Sequence, residues 1–286
     1  MKCIPCVPNL CGRSPAILIR LCAATLLLFG VSLYAGNLPA PLFKGLGTHH
    51  HAVTTRSKEA QRFFDQGLML CFAFNHSEAI RSFRAAGQLD PHCAMAWWGV
   101  AYAYGPHVNK PMTKEDNQGA WEALQKALDC RAKARPREQA YLDALAKRYQ
   151  AEFIQDRAQL DKAYANAMRE LVRQYPDDLD AQTLLAEAIM DTMPWDYWLK
   201  DRSPKPETEE AFAALRHVLK RNPDHPGANH MYIHAVEAGR RRSWDFRPQI
   251  VSRITLPPPG ILCTCLLTFI CGLASSMTLL WLINAQ

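Results

Sequence analysis

FFDQGLMLCFAFNHSEAIRSFRAAGQLDPHCAMAWWGVAYAY, residues 63–104, contains its own repeat. A step of 34 residues carries Phe63 onto Trp97, Gly67 onto Ala101 and Leu70 onto Tyr104. Within one step, Phe63, Gly67 and Leu70 are spaced for one helix and Ala79, Phe83 and Ala86 for a second. Pro91 then ends the second helix, because its ring clashes with the preceding turn. Gly67 and Ala79 carry almost no side-chain bulk, so two antiparallel helices approach closely there. Phe63, Leu70 and Phe83 fill the space around that contact.

A small-large-small pattern with this period and a closing proline is the tetratricopeptide (TPR) signature. Working outward, Ser57 caps the first helix. GPHVNKPMTKEDN (105–117) displaces the partner of the second repeat's first helix, which is expected to resume at Gly119. A third run over 136–156 aligns Tyr141, Leu145, Tyr149 and Phe153, and a helix over 157–175 closes at Pro176. TLLAEAIMDTM opens a further unit, and Thr208 is placed to cap EEAFAALRHVLKRNP. No strand periodicity competes. The expectation is an all-α, TPR-like helical-hairpin solenoid over 57–238, each hairpin burying one face on the next in a quasi-linear stack.

The ends differ from the body. The net charge is +6, but its basic excess lies in residues 1–44 and 239–286, leaving 45–238 mildly acidic. That removes the electrostatic case for nucleic acid. Residues 1–36 carry Lys2 and Arg13 before an apolar run over 16–33, as in a signal peptide or signal anchor. An exported, periplasmic or membrane-anchored body is the expectation. Residues 37–56 form a Pro- and Gly-containing linker with His49, His50 and His51. Residues 239–286 are an Arg-rich segment plus an apolar tail, in which 261–283 lack charge and have the length of a transmembrane helix. Within the body, Cys71, Cys93 and Cys130 are odd in number on helices, so they read as small core residues, not a disulfide framework.

Two groups of residues can carry function. In DHPGANHMYIHAVEA, His230, His234 and Glu237 recur at one and two helical turns, with His225 just upstream. Imidazoles one turn apart chelate a divalent transition metal, and a carboxylate on the next turn can complete the set. The linker can add His49 and His50. Met231 occupies the general-base position of a zincin helix, so a metalloprotease mechanism has no support. Such histidines also pack at helix interfaces, bonded to neighbouring carbonyls. The second group is a concave groove for a protein or peptide ligand, lined by Asn75, His76, Asn109 and the aromatic loop MPWDYWLKDRSPKP with Trp195 and Trp198. Those aromatics can equally pack on a neighbouring helix. No Ser–His–Asp elbow, phosphate loop or CxxC pair is present.

THHHAVTT, AQRFFDQGLMLCFAFNHSEAIRSF, LDPHCAMAWWGVA, GPHVNKPM, YPDDLDAQTLLAEAIMDTMPWDYW and HPGANHMYIHAVEA together resemble a group of exported bacterial TPR-repeat proteins. The resemblance covers about 46–238 and includes the loops as well as the helices. It implies a TPR solenoid with recurrent histidines at His49, His50, His76, His225, His230 and His234 and asparagines at Asn75 and Asn109. It implies no particular reaction. After Ala238 the resemblance stops. Read two bases into each codon, WDFRPQIVSRITLPPPG (244–260) can be written GFPAADRLTNHFAPPGH, which is similar to that family's continuation. A frameshift near codons 238–240 is therefore expected. The leading functional expectation is a scaffold or adaptor that mediates protein–protein interaction outside the cytoplasm or at the membrane. The alternative is a metal-binding protein built on His230, His234 and Glu237.

Overall fold

The computed structural model describes residues 40–236. The leader-like segment 1–36, Glu237 and the tail 239–286 lie outside the described residues. Within 40–236 the chain forms nine α-helices: α1 (Lys58–Phe72), α2 (His76–Leu89), α3 (Ala94–Ala103), α4 (Lys114–Asp129), α5 (Pro136–Leu145), α6 (Ala158–Gln174), α7 (Leu179–Asp191), α8 (Pro206–Arg221) and α9 (Pro226–Val236). The described residues contain no strand, so the expected all-α class is what is found. None of their helices is long and apolar enough to cross a membrane.

Local chemistry sets most helix ends. Ser57 Oγ accepts the Ala60 N–H at 3.1 Å, as the sequence predicts for the start of α1. Three boundaries differ from expectation. α4 begins at Lys114, ahead of Gly119, because Thr113 and Asp116 form a reciprocal capping box. α5 stops at Leu145 although the apolar stripe continues. Arg148 is drawn inward there, its Nη2 donating to the carbonyl of Pro106 at 2.7 Å and to Asp191 Oδ2 at 2.6 Å. Thr208 does not cap α8, which starts at Pro206. Its hydroxyl lies inside the first turn and donates to the Tyr197 carbonyl at 2.6 Å.

The helices alternate between two layers. α1 packs on both α2 and α3, α3 on α4 and α5, and α7 on α8 and α9. The odd-numbered helices thus lie inside and the even-numbered ones cover them. Burial follows the same division: all but one of the residues of α3 and of α7 are buried, against four of the seventeen in α6. A helix that is apolar on all sides belongs in an interior, and AMAWWGVAYA of α3 is such a helix.

Phe83 on α2 fixes the spacing of the first three helices. It is fully buried, and a Cβ added at Gly67 of α1 or Gly99 of α3 would stand 2.7 or 2.4 Å from its ring. The described helices also depart from the expected linear stack. α9 returns to α1, where Gly227 lies against the Phe72 ring and His230 donates through Nδ1 to the Phe72 carbonyl.

These contacts predict opposite results at two helical glycines. Gly→Ala in a helix ordinarily gains about 0.8–1.0 kcal/mol. At Gly99 the enclosed Phe83 ring cannot move aside, so overpacking of about 1–3 kcal/mol outweighs that gain. Gly99→Ala should lower the unfolding midpoint in thermal or urea denaturation. At Gly87 the added carbon meets the partly exposed Trp97 at 2.9 Å, which can swing outward, so Gly87→Ala should be neutral or stabilising. Equal shifts in the two variants would sink this account.

Candidate metal centre

The linker ahead of α1 is held as a strap along that helix. The His51 N–H donates to Asp65 Oδ1 at 3.1 Å and the Val53 N–H to Gln61 Oε1 at 2.9 Å, while Gln61 Nε2 donates to the His51 carbonyl at 2.9 Å. Successive side chains of an extended segment alternate in direction. His50 accordingly turns to Asp65 Oδ2 at 2.7 Å on the solvent side, with 57% of its side chain exposed. His49 and His51 turn the other way, toward α7.

Both meet Asp180, the second residue of α7. His49 Nε2 donates to Asp180 Oδ1 at 2.9 Å and His51 Nδ1 donates to Oδ2 at 2.7 Å. His225 arrives from the start of α9. Its Nδ1 accepts the Ala228 N–H at 3.2 Å, which caps that helix and leaves Nε2 facing Asp180. His225 Nε2 is buried 3.2 Å from Asp180 Oδ1, yet off the line of a hydrogen bond and without any other partner. Asp178 completes the group. Its Oδ1 caps α7 through the Ala181 N–H at 3.0 Å, while its buried Oδ2 accepts no hydrogen bond and has Arg137 Nε 3.6 Å away.

Electrostatics keep Asp180 ionised. Burial alone would raise its pKa, but the close approach of His225 and the hydrogen bonds from His49 and His51 outweigh burial and hold the carboxyl well below its ordinary range. For His51, burial favours the neutral ring, but Asp180 prevails and raises its pKa. The donor atoms of His49, Asp180 and His225 lie within 4.8 Å of one another, as do those of His51, Asp178 and Asp180. Imidazole nitrogens and carboxylate oxygens suit zinc and its first-row neighbours. The cluster opens into a cleft of about 830 Å³ with Met69, Arg137, Asn222 and Asp224 in its walls.

His230 and His234 belong to a different cluster, on the far side of Phe72. Their Nε2 atoms are 3.1 Å apart. With His76 and His107 they surround Phe74, a non-glycine residue in the left-handed region at φ 56°. His76 stacks on His107 at 4.3 Å. Burial first, then His76 and Arg148, push His107 down to about 3, so its ring is neutral at ordinary pH. Asn75 caps α2 through the Glu78 N–H, and the Asn109 N–H donates to His107 Nδ1 at 3.3 Å. Trp195, 48% exposed, edges His234 at 5.4 Å. Trp198 turns inward, donating Nε1–H to the Ala235 carbonyl at 3.0 Å and packing on Phe212.

The structure therefore joins His49 and His225 and separates them from His50, His230 and His234. Sequence reasoning singled out neither Asp180 nor Asp178. Their signal is the run of three aspartates in YPDDLDAQ, which looks like ordinary helix-start chemistry. Asp180→Ala is expected to release the strap. Trypsin should then cut at Lys44 or Arg56 several-fold faster than in wild type, whereas His50→Ala should not change the rate; wild-type-like resistance of Asp180→Ala would contradict the strap's dependence on Asp180. The chain matches no protein-family model and no curated protein, and the geometry alone carries its functional reading.

Proposed function

We propose that this chain is a metal-binding helical-repeat protein in which His49, Asp180 and His225 hold a divalent transition metal. The observation that carries this is the convergence of His49 Nε2 and His225 Nε2 on one oxygen of the buried Asp180 carboxylate. Ligand atoms about 2.1 Å from one ion and roughly 90–110° apart stand ~3.0–3.4 Å from each other. The two separations from Asp180 Oδ1, 2.9 and 3.2 Å, are close to that range, and the two imidazole nitrogens lie within 4.8 Å of each other. Nδ1 of His225 accepts the Ala228 N–H, so the neutral ring carries its proton on Nε2; ligation through Nε2 would move that proton to Nδ1 and release the Ala228 bond. Three protein ligands leave coordination positions for water or another small ligand.

The scaffold in this reading is TPR-like. Its support is the step of 34 residues, the α1–α2 and α3–α4 hairpins, and the close approach at Gly67. Export or membrane attachment is supported by the basic start and apolar run in 1–36. A second reading, a protein or peptide ligand, is favoured by the exposed Trp195 beside His234. The near-complete burial of α3 and α7 favours the metal, because a TPR groove needs its inner helices open.

Titration of chelator-treated, tag-free protein with Co(II) or Zn(II) in a calorimeter tests the metal reading. Saturable binding is expected. His225→Asn keeps a side-chain acceptor for the α9 cap and removes Nε2, and His49→Ala removes the second imidazole. Each should weaken binding by at least about tenfold. His50→Ala should not. No saturable binding, or binding indifferent to both ligand variants, would overturn the proposal.

A further inference from the structure

We infer that Asp180 bridges two metal ions, with a second divalent cation held by its Oδ2, His51 and Asp178. This rests on the single-ion reading above and extends it. The two triads share one residue, and that residue divides its oxygens between them. Oδ1 faces His49 and His225, whereas Oδ2 faces His51 at 2.7 Å. A carboxylate placed between two sets of ligands in this way can serve one ion with each oxygen. Ions sharing such a bridge stand about 3.5–4 Å apart.

Asp178 supplies the independent observation. Its Oδ2 is buried among the same residues and accepts no hydrogen bond. The Arg137 guanidinium and the Tyr141 hydroxyl face Asp178 without a well-aligned hydrogen bond to Oδ2, and a divalent cation would satisfy that oxygen more fully. Arg137 approaches only to 3.6 Å, and 39% of its side chain is exposed, so it can swing into the cleft when an ion enters. Without cations, Asp178 and Asp180 repel within 4.8 Å.

The test counts ions. Metal-depleted, tag-free full-length protein is titrated with Co(II), and bound cobalt is measured by elemental analysis after gel filtration. Two equivalents are expected. Asp178→Asn retains the Oδ1 acceptor that caps α7 and should lower the count to one, leaving the ion on His49 and His225 in place; His51→Ala should give the same count. His225→Asn should instead weaken the other ion. One equivalent in wild type, lost in His225→Asn and untouched by Asp178→Asn, would overturn the bridge and leave the single-ion reading standing. No bound cobalt would overturn both. Two equivalents of which one disappears in His230→Ala, and not in Asp178→Asn, would place the second ion in the Phe74 cluster and overturn the bridge.

Discussion

Where α9 meets α1, Gly227 lies against the ring of Phe72 with no room for a side-chain carbon, and His230 bonds the Phe72 carbonyl. That approach controls what the rest of the molecule can do. It brings the start of α9, with His225, to the strap that precedes α1, while α7 packs on α9 and presents Asp180 between them. Phe72 also stands between the two histidine clusters. Its ring edges His49 and His225, and its carbonyl orients His230. A bulkier residue at position 227 would separate α9 from α1 and open both clusters together.

Closure has an electrostatic consequence for the interior. The inner helices are not lined by apolar residues alone. Arg148 sits over the Tyr164 ring at 4.7 Å and pairs with Asp191. Tyr102 donates its hydroxyl to Glu187, whose carboxyl burial pushes upward. Charges of this kind are costly to bury unless paired, and losing one partner strands the other. The pairing of Arg148 with Asp191 and with the Pro106 carbonyl also anchors the loop that carries His107, so the Phe74 cluster is positioned from within the core.

The Asp180 cluster is different in kind. Arg148 and Asp191 neutralise one another, whereas Asp180 meets three imidazoles and Asp178 has the partly exposed Arg137 at 3.6 Å. As Arg148 Nε and Asp191 Oδ1 do in the interior, His225 Nε2 and Asp178 Oδ2 lack a well-aligned hydrogen bond. Interiors ordinarily leave few such atoms. The convergence of His225 and Asp178 on one cleft separates this cluster from histidines that merely pack, such as His107 stacked on His76.

The local elements were legible in the sequence because their causes lie within a few residues. The step of 34, the Ser57 cap, the proline stops and the small residues facing Phe83 act over one or two helical turns, and they determined the all-α class and the contact at Gly67. HxxxH in α9 was visible for the same reason, and alternation along the strap could have separated His49 and His51 from His50. Short-range pattern misled where a distant partner intervened, as when Arg148 turned inward and ended α5 within an unbroken apolar stripe. Only the tertiary structure decided which histidines belong together. His49 and Asp180 are separated by 131 positions in the chain. They meet because the helices close on one another, and that closure depends on packing between elements that no local spacing records.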